Sequence, residues 1–193
     1  MTSGRFRHLR PRWLLLFALV ALGRPLAAAD VAKLAPGVEL PLLESKTLNG
    51  ETAALPRDAR GHAAVLVFGF SKASSKVTRP WLEGCLAATK GMPAGSEVYC
   101  YDLRMVEDVP RMFRGSMEHG MQSGYPAELQ RRALVVYSEN DAWRQRLGVA
   151  DTKTAYVVGC DAEGRVRGTA TGPFQEEELK KLLAAPDPVA PAR

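Results

Sequence analysis

The chain has 193 residues, 46% of them hydrophobic, which suits one domain with an ordinary core. Its formal charge of +5 comes from residues 1–29, which hold five arginines and no acidic residue, so the remainder carries 21 basic and 21 acidic side chains. Nothing in the charge of this remainder suggests the basic face that a phosphate backbone requires, which argues against nucleic acid as a partner.

The first predicted element is an export signal in residues 1–29. Four arginines precede an apolar run of ten residues, 13–22, and the small residues 27–29 follow it. This order is typical of a secretory signal peptide, and the run is shorter than the about 20 residues that a membrane-spanning helix needs. We therefore expect an exported, periplasmic protein, which would be membrane-anchored only if the leader is not cleaved.

After the leader, strands alternate with helices. A hairpin over residues 36–52 is predicted to turn at Asn49-Gly50, and the apolar run 63–70 is typical of a central strand covered on both faces. The elements that follow are a helix (78–90), a strand (97–103), a helix (109–120), a strand (133–137), a short helix ending at Gly148, a hairpin (154–169) and a last helix (175–183). This order indicates an α/β domain over residues 30–183, and the Pro- and Ala-rich tail 184–193 is expected to be disordered.

Three segments resemble the thioredoxin-like superfamily in its peroxiredoxin-type form. They are residues 58–61 before the central strand, the strand 64–70, and the segment 147–164. The resemblance implies a thioredoxin-like fold, with a central mixed five-stranded sheet, helices on both faces and an N-terminal hairpin.

A narrower resemblance is to the mitochondrial ATP synthase membrane-sector assembly factor family and its bacterial relatives. Segments 117–121, 143–147 and 156–167 carry it, and the chain departs from the pattern at Gly168, where an aromatic residue would follow the arginine. That family lacks the cysteine pair of thioredoxin and acts as an assembly chaperone. The resemblance therefore implies a protein client, such as a membrane protein complex.

The junction after the central strand lacks the reactive cysteine that this superfamily places there. Residues 71–76 read Ser-Lys-Ala-Ser-Ser-Lys, and neither Ser nor Lys can cycle between dithiol and disulfide. Residues 152–154 stand where a cis-proline usually precedes a strand of this fold.

These two segments predict a non-catalytic binding surface without a cofactor. The residues are Ser71, Lys72, Ser74, Ser75, Lys76, Thr152, Lys153 and Thr154. Backbone N–H groups at the helix N-terminus, together with the lysines, would attract an anion or a carboxylate. The alternative is that Ser74, Ser75 or Thr78 simply caps the helix.

Three cysteines leave thiol chemistry open. Export would permit one disulfide with one thiol left over, and spacings of 15 and 60 residues match no zinc pattern. Small buried hydrophobic side chains are the plainer interpretation for at least two of them. Cys160, beside a turn, is the thiol we expect to be most exposed. The alternative function is therefore a thiol-dependent antioxidant or thiol-exchange enzyme that uses Cys160 or Cys85.

A methionine-rich stretch suggests a third alternative, a copper carrier. Met117, His119 and Met121 have side chains that suit Cu(I). Methionines at helical spacing more often fill a core, so we predict no metal site.

Overall fold

The computed structural model describes residues 31–107 and 109–184. The predicted leader lies outside these residues, as does the predicted tail from residue 185 onward. None of the helices within the described ranges is both long and apolar enough to span a bilayer.

Seven strands and five α-helices make up the described part of the chain. The strands are β1 (Leu43–Thr47), β2 (Thr52–Leu55), β3 (Ala63–Gly69), β4 (Val98–Met105), β5 (Ala133–Val136), β6 (Ala155–Cys160) and β7 (Val166–Thr171). The helices are α1 (Ser75–Thr89), α2 (Arg111–Gln122), α3 (Ala127–Gln130), α4 (Asn140–Leu147) and α5 (Glu176–Leu183), with a 3₁₀ turn at Arg57–Ala59. All strands belong to one sheet in the order β2-β1-β5-β4-β3-β6-β7.

Strand β3 lies in the middle of the sheet, as its apolar sequence predicts. It pairs in parallel with β4 and antiparallel with β6, and β4 pairs in parallel with β5. The predicted five-stranded mixed sheet is thus β3 to β7. The N-terminal hairpin extends this sheet, because β1 pairs antiparallel with β5.

Two hydrophobic layers cover the sheet. Because neighbouring residues of a strand point to opposite faces, Leu66 and Phe68 belong to one layer and Val65 and Val67 to the other. Trp143 of α4 packs in the first layer, with its ring centroid 5.1 Å from that of Phe68. Helices α1 and α5 cover the second.

A disulfide joins α1 to β4 inside the second layer. It links Cys85 to Cys100, whose side chains are both fully buried. The sequence left the pairing open and favoured separate buried side chains for at least two cysteines. The packing of α1 over β4 decides it, because this packing brings the two Cα atoms to 6.1 Å, within the range that a disulfide spans. Cys85 is therefore bonded to Cys100 and is not a free thiol in this structure.

Candidate binding site

The loop between β3 and α1 is held by its own serines. Ser74 is fully buried, and its hydroxyl donates a hydrogen bond to the Ser71 carbonyl at 2.7 Å. The Ser71 hydroxyl in turn donates to the Thr152 carbonyl at 2.8 Å. The structure therefore brings together the two segments that carry the predicted binding residues.

Ser74 lies at the N-cap position of α1 in a helical backbone conformation, and its own side chain makes no cap hydrogen bond. The hydroxyl of Ser71 accepts a hydrogen bond from the Ser74 N–H at 3.2 Å, so the cap that the sequence predicted at Ser74, Ser75 or Thr78 comes from Ser71. The Ser75 hydroxyl instead accepts a hydrogen bond from Nη1 of Arg104 at 2.9 Å. The hydroxyls of this loop thus connect it to other segments of the fold.

Position 69, at the end of β3, requires a glycine because the loop between β3 and α1 packs closely against it. A Cβ at this position would lie 2.7 Å from Ser74 Oγ and 3.1 Å from Thr78 Cγ2. Both neighbours are fully buried, so a larger residue would displace the start of α1.

A buried charged network lies behind the loop. Arg104, only 6% exposed, contacts Asp102 with 2.7 Å between Nη2 and Oδ2. Its Nε donates to the Tyr125 hydroxyl at 3.0 Å, and that hydroxyl donates to Asp102. Burial lowers the pKa of Arg104, but Asp102 and Tyr125 raise it by more, so the net pKa lies above its ordinary value. The guanidinium therefore keeps its charge inside the protein.

The sequence analysis missed this network. Its signal was available, since Asp102 and Arg104 are two charged residues in an otherwise apolar strand, at the spacing that places both on one face. Tyr125, which lies 21 residues after Arg104, has no comparable signal.

A cavity of about 680 Å³ opens between the N-terminal half of α1, the end of β4 and the helix α2. Its polar wall consists of Ser71, Lys72, Ser75, Arg79, Arg104, Glu107 and Tyr125. Its apolar wall includes Phe70, Met105, Val106, Met117 and Met121. The volume is typical of small-molecule sites, which span about 300–1,000 Å³.

The predicted binding residues divide between this cavity and the surface beside it. Ser71, Lys72 and Ser75 line the cavity. Ser74 is buried beneath the loop, and Lys76 and Lys153 are exposed outside the lining. Thr152 and Thr154 are half-buried and also lie outside it.

No family model and no curated protein matches the sequence of this chain. Solved structures do match. An exposed lipoprotein thioredoxin from Streptococcus pneumoniae, Etrx1, has 17% identity and a TM-score of 0.51, and the match covers 74% of this chain and 98% of that one. The chain has a thioredoxin-like fold. The thioredoxin domain of a thiol-disulfide oxidoreductase from Bacteroides vulgatus matches with 16% identity and a TM-score of 0.50, over 79% of this chain and 100% of that one. A DsbF homologue from Corynebacterium diphtheriae matches with 12% identity and a TM-score of 0.51, over 77% of this chain and 85% of that one.

The free cysteine of this thioredoxin-like domain is buried. Cys160 is only 1% exposed, so it is not the exposed thiol that its position beside a turn predicted. It is the last residue of β6, beside the turn as predicted, and it is covered because it pairs with Ala64 of β3 and Val166 of β7. Burial, together with the nearby Asp161, raises the pKa of Cys160 to about 12.

The methionine-rich stretch divides over two sides of α2. Met117 and Met121 line the cavity of the thioredoxin-like domain, while His119 is exposed and does not. The three residues of the copper alternative are therefore not all in the cavity lining. Within residues 31–107 and 109–184, no group of three or more His, Cys, Asp or Glu side chains could hold a metal ion.

Proposed function

We propose that this chain is a non-catalytic, exported binding or assembly module for a protein client. The observation that carries the proposal is the composition of the β3–α1 junction, where serines and lysines stand beside an open cavity. Of the three cysteines, Cys160 is buried, and Cys85 and Cys100 form a buried disulfide. A face without an accessible thiol can still recognise a partner by shape and charge.

The proposed client surface consists of residues 71–76 and 152–154. Its exposed cations are Lys72, Lys76 and Lys153. The hydrogen bond from Ser71 to Thr152 joins its two segments, which reduces the ordering that binding would otherwise require. Such a surface suits an acidic region of a client, and the resemblance to the assembly factor family suggests that the client belongs to a membrane protein complex.

Export to the periplasm is part of the proposal. The arginine-rich leader supports it, and so does the disulfide between Cys85 and Cys100, because disulfides persist mainly in oxidising compartments. Fractionation of cells expressing the full chain, with thiols trapped at lysis, tests it. We expect oxidised protein in the periplasmic or membrane fraction, and a reduced cytoplasmic pool would contradict export.

Charge reversal tests the client surface. A photo-crosslinking amino acid at Ala73, an exposed position of this loop, would report the client in cells of the native host. We expect one specific adduct that K72E/K76E/K153E reduces at least tenfold. The matched control is K33E/K46E/K90E, which reverses three exposed lysines elsewhere on the described surface. An adduct unchanged by the first triple variant would contradict the proposal.

Turnover assays test the absence of thiol catalysis. The purified protein is expected to reduce neither hydrogen peroxide nor a model disulfide. Turnover that disappears in C160A, which leaves the disulfide intact, would establish the thiol enzyme instead.

A further inference from the structure

The cavity between α1 and α2 has two chemically different walls. The polar wall shares Ser71, Lys72 and Ser75 with the proposed client surface, whereas the apolar wall lies outside that surface. We propose that it binds a small apolar carboxylic acid in its ionised form, of which a medium-chain fatty acid is the simplest representative. This proposal does not depend on the protein client, because it is argued from the apolar wall and from Arg79, which lie outside the client surface.

The apolar wall suits a flexible hydrocarbon chain. Met105, Met117 and Met121 contribute three unbranched, polarisable side chains, and Phe70 and Val106 complete this side. Methionine side chains adapt to the shape of a ligand more readily than branched side chains do. With about 680 Å³, the cavity has room for a small ligand without rearrangement of the sheet.

The polar wall carries an excess of positive charge. The charge of Arg104 is balanced by Asp102, and Glu107, the acidic residue of the lining, pairs with Arg144 at 2.8 Å. Lys72 and Arg79 also line the cavity, and neither has an acidic partner within 4.0 Å among the described residues. An anion is therefore the complementary ligand.

Arg79 is already oriented. Its Nη2 donates to the Gly124 carbonyl at 2.9 Å, and its guanidinium lies 5.7 Å from the centre of the Tyr125 ring. A guanidinium held in this way loses less conformational entropy when it binds a carboxylate, and it can bind the two oxygens side by side. An inorganic anion would use only this wall, whereas an apolar carboxylate would use both.

Calorimetric titration of the purified protein with decanoate, below its micelle concentration, tests the proposal. We expect saturable binding of one decanoate per chain. Decan-1-ol, with the same chain and no charge, should bind at least tenfold more weakly, and decyltrimethylammonium should not bind. Each buried CH₂ strengthens binding about fourfold, so octanoate, which is two CH₂ groups shorter, should bind about 16-fold more weakly than decanoate.

Two glycines of α2 offer a matched pair of variants. A Cβ at Gly115 or Gly120 would meet no atom within 4 Å, so both positions accept a side chain. Only Gly120 lines the cavity. We expect G120F to weaken decanoate binding at least tenfold and G115F to leave it unchanged, while R79Q weakens decanoate binding but not decan-1-ol binding.

Three results would overturn the proposal. They are the absence of saturable decanoate binding, equal affinities for decanoate and decan-1-ol, and equal effects of G115F and G120F. Because these measurements need no client, they are independent of the crosslinking result.

Discussion

The two helices that flank the cavity are packed very differently. Helix α1 buries Thr78, Trp81, Leu82 and Cys85 against the sheet and is covalently bound to β4. None of the residues of α2, all of which the structure describes, is buried, and this helix exposes 81% of Met112 and 58% of Phe113. One wall of the cavity is therefore part of the core, and the other is a helix resting on it.

The contacts of α2 explain its weaker attachment. Partly buried Met117 and Met121 pack on a small cluster of Leu48, Ala133 and Val135. Stability is not uniform in a protein, and elements with few buried apolar contacts open at lower free energy than the core. The comparison teaches that the side of the cavity formed by α1 and β4 is the firmer one, and that the side formed by α2, with Met117 and Met121, can adjust more readily to a ligand.

The largest expected effect is that of removing the main anchor of α1. Trp81 is 1% exposed, its indole N–H donates to the Gly172 carbonyl at 2.9 Å, and its ring contacts Phe174 edge-on. We expect W81A to lower the free energy of unfolding by about 3–5 kcal/mol in urea denaturation. If W81A does not fold, W81F provides the smaller step. A loss below about 1 kcal/mol for W81A would show that α1 is not anchored as described.

The next largest effect on stability is expected from removing the disulfide, which attaches α1 and not α2 to the sheet. It closes a loop of 15 residues, and in the chain-entropy model such a cross-link stabilises the fold by about 3 kcal/mol through the unfolded state. We expect C85A/C100A to lose about this amount in urea denaturation. Reduced wild-type protein is the control, and a double variant as stable as oxidised wild type would contradict the prediction.

Hydrogen exchange compares the helices directly. Amides in the middle of α1 should exchange only through global unfolding, and those of α2 through local opening. We expect α2 to exchange about 100-fold faster, measured by mass spectrometry on peptides from each helix. Equal protection would mean that α2 belongs to the same cooperative unit as α1.

The smallest effect is expected on the exposed face of α2. Phe113 is 58% exposed, so F113A should change the free energy of unfolding by no more than about 0.5 kcal/mol. The same denaturation series measures it beside W81A. A loss above about 1 kcal/mol would indicate that the ring is covered in solution, and the contrast between α1 and α2 would then be smaller than described.

Much of the fold could be predicted because its signals are local. The apolar run of β3 and the Asn49-Gly50 turn are both where the sequence indicated. The predicted position of the hairpin strands was wrong, because the hairpin was predicted over residues 36–52, whereas β1 begins at Leu43 and β2 at Thr52. Only the turn has a local signal, whereas the extent of these strands depends on pairing between β1 and β5.

The candidate site was predicted in part for the same reason. The loss of the cysteine position and the closeness of residues 71–76 to 152–154 follow from recognising the β3–α1 junction. The cavity could not be predicted in this way, because its walls come from α1, β4 and α2, which come together only when the sheet is folded.

The sequence by itself determined the α/β element order, the central place of β3 and the absence of a cysteine at the β3–α1 junction. These properties depend on residue type and on short-range periodicity, which are present before the chain folds. Only the tertiary structure decided that Cys85 pairs with Cys100, that Cys160 is buried, and that Arg104 meets Tyr125 behind a cavity. Each of these is a contact between segments distant in sequence, and its free energy depends on distance, burial and charge in the assembled sheet.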